Sequence, residues 1–300
     1  MSTQVNSVEK APRASGWKSW LKHPLLRRVV QLGAAGYILF LVIQHIVVGE
    51  GGDVVTASAE AFCPFGGLET LYKFITSGGT FVSHTHLSNL VMLIAVLVTA
   101  LLLRSAFCGW ICPLGFIQEM ISAFSRLLQK WIPGFKRAVA SLKQRGARLA
   151  VLDRYLRWVK YLVLAWAVGG SAYFGYMVFR DVDPWAALLN LAEFSFTPGF
   201  VVLLITLAAS FFVERPWCRY ACPLGAASGL MGKLSPVAVK RNEETCISCK
   251  LCTKACPMGL QVHTADRVQS LDCNSCLECV ASCPKKGALE VQMGLPFGKK

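Results

Sequence analysis

The chain has 300 residues, of which 54% are hydrophobic and 16% charged, with a formal charge of +14 and a mean hydropathy of +0.47. A soluble chain carries about a quarter charged residues, so the composition argues against an ordinary globule and for a membrane protein. The basic excess is not a nucleic-acid footprint: no aromatic-interleaved basic patch is present, and Lys and Arg gather where inner loops belong.

Residues 1–28 read as a basic cytoplasmic N-terminus. The pair Arg27–Arg28 before an apolar run resembles a twin-arginine export signal. The following run is long enough to span, however, and shows no small-residue cleavage site, so the pair reads as a positive-inside anchor. Four apolar runs follow, Val29–Val48, Leu87–Leu103, Trp158–Phe179 and Pro198–Val213, each approaching the ~20 residues of a spanning helix. Ten basic residues, Arg104 to Arg157, lie between the second and third runs. Apart from histidines, only Lys73 separates the first two runs and only Arg180 the last two. That asymmetry predicts both termini and the middle loop in the cytoplasm, with Trp110, Trp158, Trp185 and Trp217 as an aromatic belt.

The runs repeat as pairs. RSAFCGWICPLG after the second run answers ERPWCRYACPLG after the fourth, with Cys108 and Cys218 110 positions apart. CPFGGLETL from Cys63 answers DPWAALLNL from Asp183. The expected fold is therefore an α-helical membrane unit, residues 29–225, of four transmembrane helices in two pseudo-symmetric halves. Within it, Phe116–Trp131 carries an apolar helical stripe expected along the inner surface or against the bundle.

Three kinds of candidate site lie in this unit. Cys108, Cys112, Cys218 and Cys222 form two CxxxCP motifs that could hold a further Fe–S cluster, another metal or redox-active thiols; paired structural thiols are the plainer alternative. Cys63 and Asp183 are expected on the outer side, binding a metal or releasing protons, against the simpler reading of a turn thiol and an Asp capping the helix from Pro184. Glu69, His84 and His86, with His45 nearby, are candidates for an outer quinol pocket, although each alone is more often a solvated residue. His23 and His263 carry no signal.

Residues 226–300 read as a small cytoplasmic α+β domain of the bacterial 2[4Fe-4S] ferredoxin type. From Cys246 the chain reads CISCKLCTKACP, and from Cys273 CNSCLECVASCP, which is C-x2-C-x2-C-x3-C-P written twice. Three thiolates two residues apart wrap one cubane, and the fourth Cys, beside its proline, crosses to the other cluster. The rule assigns Cys246, Cys249, Cys252 and Cys283 to one [4Fe-4S] cluster, and Cys273, Cys276, Cys279 and Cys256 to the second. Structural zinc favours two separated pairs, and disulfides belong to oxidising compartments. No nucleophile triad, phosphate loop or flavin or dinucleotide site is legible, which leaves electron transfer with a small carrier or a protein partner.

Four spans, paired CxxxCP motifs and a C-terminal double ferredoxin run resemble the NapH/MauN-type membrane ferredoxin family, related to the membrane part of NosR-type proteins. The resemblance runs from about residue 20 onward. It implies a bacterial inner-membrane protein, a component of a quinol dehydrogenase, passing electrons from the quinol pool towards a periplasmic reductase through partner Fe–S or c-type haem carriers. A second reading stays open: an electron-supply or maturation factor for a periplasmic or membrane metalloenzyme that does not touch quinol. An assembly scaffold or redox sensor is a third.

Overall fold

The computed structural model describes residues 24–48, 67, 87–148, 150–174, 178–189 and 197–294. The helices are α1 (Pro24–Val48), α2 (Leu87–Leu103), α3 (Ala106–Trp110), α4 (Pro113–Trp131), α5 (Pro133–Arg148), α6 (Ala150–Phe174), α7 (Pro184–Leu189), α8 (Pro198–Ala209), α9 (Pro216–Tyr220) and α10 (Pro223–Gly232). Pro24–Gln44 is the one described stretch both long and apolar enough to cross a bilayer, while Leu90–Leu103 and Pro198–Ala209 are apolar but shorter. The boundaries differ from the sequence expectation. The first run extends back to Pro24, and the third begins at Ala150 with Asp153, Arg154, Arg157 and Lys160 in its first turns. The fourth run ends at Ala209, so α8 is twelve residues long, about 18 Å against ~30 Å of hydrocarbon.

The two halves build the same corner. In one, α2 leads through α3 to α4; in the other, α8 leads through α9 to α10. The second Cys of each CxxxCP is the N-cap of the next helix, with proline at its first position, where a missing N–H costs nothing and φ is already helical. In each corner the amide of that Cys and of the residue before it donate to one carbonyl: Phe107 in the first half, Trp217 in the second. Each corner is also entered through an arginine in the left-handed region, Arg104 at φ 60° and Arg215 at φ 50°. α10 packs on α2 and α6, and α4 packs on α1.

Helices α1 and α4 have inverted polarity. Arg27 and Gln31 of α1 are buried while Leu25, Val29 and Leu32 face outward. In α4, Gln118, Glu119, Ser122 and Ser125 are buried while Met120, Phe124, Leu127 and Trp131 are exposed. The apolar stripe expected for 116–131 is thus mostly an outward one.

The C-terminal domain is a three-stranded antiparallel sheet, β1 (Val237–Arg241), β2 (Arg267–Val268) and β3 (Leu289–Met293), in the order β2-β1-β3. Val239 pairs with Val268 on one side and Val291 on the other. Two one-turn helices, α11 (Leu251–Lys254) and α12 (Glu278–Ala281), each start inside a cysteine run. Val239, Val262, Val268, Val280 and Leu289 form the core, against which Cys252, Cys256, Cys273, Cys279 and Cys283 pack. These five cysteines thus sit against an apolar core, while Cys249 is exposed.

Candidate redox sites

The structure gathers the ferredoxin cysteines in two groups. Cys246, Cys249, Cys252 and Cys283 line one pocket. Cys276 and Cys279 lie within electrostatic reach of Cys273 and Cys256. Both loops wrap through paired non-glycine residues in the left-handed region, Ser248 and Lys250 in one, Ser275 and Leu277 in the other. Such backbone is sparsely populated and persists where the surroundings demand it. Here it turns a short loop around a centre, twice and in the same register. Burial pushes the Cys276 thiol up to about 12, against the pull of Arg27. As a free thiol it stays protonated; as a ligand it is deprotonated by the metal. Four thiols in each group, drawn from two C-x2-C-x2-C-x3-C-P runs, are the donor set of an Fe–S cluster. Two [4Fe-4S] clusters fit.

The four CxxxCP cysteines line one cavity of about 840 Å³, open mouth included. Burial, then the neighbouring Cys218, raises Cys108 to about 11 and Cys112 to about 12. Buried thiols of this kind are poor nucleophiles, which weighs against thiol exchange. The rest of the wall suits an anionic, thiolate-rich group. Lys160 and Arg215, 1% and 0% exposed, both line it. So do Asn274 and Trp185, whose Nδ2 and Nε1 are buried donors without a partner. The residues present therefore fit a metal–thiolate group.

Asp183 lies in this cavity wall, not apart on an outer surface. Its Oδ1 accepts the Trp185 amide at 3.0 Å, so it does start α7, and burial pushes its carboxyl up to about 7. It arrives there because α7 folds back along α8: Gly199 has no Cβ to meet the Asp183 carbonyl, which stands 3.0 Å from where one would be. Ala187, Leu203 and Leu114 pack together beneath, with Cys112, Trp185 and Trp217 against them. Two of the expected belt tryptophans, Trp185 and Trp217, thus line the cavity, and Trp110 donates to the Ser275 carbonyl at 3.0 Å.

The opposite wall comes from the ferredoxin domain: Met258, Leu271, Asp272, Cys273 and Asn274. Arg104 holds that domain by the carbonyls of Val268 (2.8 Å) and Ser270 (2.9 Å). Arg157 reaches Asp272 (2.8 Å) and the Met258 carbonyl (3.1 Å), and Lys160 also pairs with Asp272. Beneath, buried Glu119 pairs with Arg27, Arg28 and Arg215; Arg27 also reaches Glu278 in the second cysteine run, and Arg215 donates to the Cys108 carbonyl at 2.7 Å. The second quartet thus adjoins the cavity, whereas no cysteine of the first quartet lines it.

Sequence reasoning did not single out Lys160, Glu119, Arg215 or Asn274. A signal existed for Lys160, a lone cation inside an apolar run, which is a functional flag in a membrane helix. His45, Cys63, Glu69, His84 and His86 lie outside the residues whose side chains are described.

Two cysteine quartets in a ferredoxin fold, docked on a third quartet, define an iron–sulfur electron-transport protein. Comparison with known proteins agrees. The family model described as a 4Fe-4S binding domain matches residues 85–131 and again 195–242, once over each CxxxCP half, and a 4Fe-4S dicluster domain matches 238–284. YccM of Escherichia coli is 28% identical over 299 residues, covering 95% of this chain and 80% of YccM. An uncharacterised protein of Methanocaldococcus jannaschii, MJ0750, is 31% identical over 227 residues, covering 76% of this chain and 84% of its own length. The ferredoxin-type protein NapH of Haemophilus influenzae is 29% identical over 203 residues, 64% of each chain. No solved structure matches significantly. The chain belongs to the NapH/NirI-type membrane ferredoxin family.

Proposed function

We propose that the protein carries electrons between the quinol pool and partner Fe–S or c-type haem proteins of a periplasmic reductase system, from the cytoplasmic membrane of a bacterium. In this reading α1, α2, α6 and α8 cross the bilayer, α7 folding back beside the short α8, with both termini and the ferredoxin domain on the cytoplasmic side. The inverted polarity of α1 and the basic residues of α5 support that orientation. Cys246, Cys249, Cys252 and Cys283 would hold one [4Fe-4S] cluster; Cys273, Cys276, Cys279 and Cys256 the second; Cys108, Cys112, Cys218 and Cys222 a third centre. Such groups supply one-electron exchange at potentials tuned by hydrogen bonds, burial and charge.

The observation that carries this reading is the shared wall: Cys273 and Asn274 of the second quartet line the same cavity as the four CxxxCP cysteines. Lys160 and Arg215 lower the cost of negative charge there, and each is itself matched by a carboxylate, Asp272 and Glu119. Asp183, whose carboxyl burial pushes up to about 7, lies in the same wall and would take up a proton when that wall gains an electron.

The test is anaerobic EPR of the purified protein, titrated first with a reduced quinol analogue and then with dithionite. Signals that rise with quinol support the quinol-linked reading. Signals that rise with dithionite alone overturn it in favour of a low-potential electron-supply factor.

A further inference from the structure

A second cleft, of about 720 Å³ with its open mouth included, lies where the start of α1 meets α4 and the ferredoxin domain. Three carboxylates line it, and all three are already engaged. Glu119 takes Arg27 and Arg28, with Arg215 from behind; Glu278 takes Arg27; Glu214 takes Arg126. The cations are not used up. Lys254, exposed at the end of α11, makes no ion pair among the described residues. Arg28 and Arg126 are 37% and 51% exposed and spend few of their five N–H donors. Unmet donors from three elements therefore converge on one cleft, which calls for an anion with several acceptor oxygens.

The surroundings decide between a soluble anion and a lipid. Leu25, Val29 and Leu32 stand outward on α1 within a turn or so of Arg28, and Met120, Phe124 and Leu127 stand outward on α4 within two turns of Arg126. The cleft thus lies where both of its helices also present apolar side chains outward, at the helix ends where, in the proposed orientation, inner-leaflet headgroups lie. We propose that this cleft binds the headgroup of one anionic phospholipid, its phosphate held by Arg28, Arg126 and Lys254 and its chains lying along α1 and α4. Ala255 and Pro257, which flank the cluster ligand Cys256, form the far wall, so a bound lipid braces the ferredoxin domain against the bilayer at the second quartet. The inference rests on α1 lying in the bilayer, which carbonate extraction of membranes reads independently of lipid retention.

The experiment is native mass spectrometry of the full chain released from nanodiscs of phosphatidylglycerol and phosphatidylcholine, wild type against an Arg126→Gln/Lys254→Gln double variant. The Arg126–Glu214 pair is exposed, so its loss costs the fold little, and unchanged iron content verifies this; if iron falls, the single Lys254→Gln variant is read instead. The expected result is one phosphatidylglycerol retained per wild-type chain in preference to phosphatidylcholine, undisturbed by millimolar inorganic phosphate. Its affinity drops about thirty-fold in the double variant, since each basic residue at a membrane surface contributes roughly a factor of five. Equal retention in the variant, equal retention of phosphatidylcholine, or displacement by inorganic phosphate would each overturn the proposal.

Discussion

The carbonyl oxygen of Asn274 lies 2.2 Å from where a Cβ on Gly109 would stand. Gly109 is the residue after Cys108 in the first CxxxCP, and Asn274 follows Cys273 in the second ferredoxin run, so two redox motifs meet backbone to backbone. The same device recurs at Gly229 of α10, whose Cβ would stand 2.3 Å from the Leu271 carbonyl. Glycine at both places lets the ferredoxin domain seat directly on the CxxxCP corner.

Gly109→Ala is therefore expected to lift the domain from that corner. Neither contact atom is a flexible side-chain end, so the backbone must move, at a cost of about 1–3 kcal/mol. Iron bound by the ferredoxin quartets should stay unchanged, while hydrogen exchange around 271–276 accelerates and electron exchange between the domain and the membrane unit slows. Unaltered exchange protection would show that the seat is not tight.

Glu119→Gln removes the carboxylate shared by Arg27, Arg28 and Arg215. Arg215 is fully buried, and stripping a buried charge of its partner costs about 3–5 kcal/mol. Thermal unfolding of the detergent-solubilised protein should fall sharply, with Glu119→Asp recovering part of the loss. A variant as stable as wild type would mean that water reaches Arg215.

Two carboxylates give pH dependences of opposite sign. Burial would raise Asp272, but Lys160 and Arg157 outweigh it and hold the group below its ordinary 3.8. Its contribution to docking is present above that value and lost as pH falls through the lowered one. Asp183 is raised from 3.8 to about 7 by burial. Between those values the unfolded chain has released a proton that the folded one keeps, so stability falls as pH rises through this window and levels off above it. Asp183→Asn should flatten that fall, measured by unfolding at a series of pH values; an unchanged slope would show that Asp183 is already ionised.

The ferredoxin domain was legible because its eight cysteines stand in two short runs of one spacing, over which a 4Fe-4S dicluster domain matches residues 238–284. The CxxxCP corners were legible as a repeat for the same local reason. The cavity that unites them was not, because its walls come from far apart: Lys160 meets Asp272 across 112 positions. Periodicity also could not orient α4, since an apolar stripe reads alike whether it faces inward or outward; burial of Glu119 and Ser122 shows that it faces outward. Asp183 was expected at the outer side because nothing in a DPWAALL turn shows that it folds back along α8.

The most direct test of the third centre is the iron and acid-labile sulfide content of anaerobically purified protein, with EPR, for wild type and for a variant with Cys108, Cys112, Cys218 and Cys222 all changed to Ser. Two [4Fe-4S] clusters account for about eight irons per chain. The account predicts wild-type iron clearly above that figure and a signal that disappears in the quadruple variant, which keeps about eight. About eight irons and identical spectra in both proteins would contradict it, leaving the CxxxCP cysteines as structural thiols.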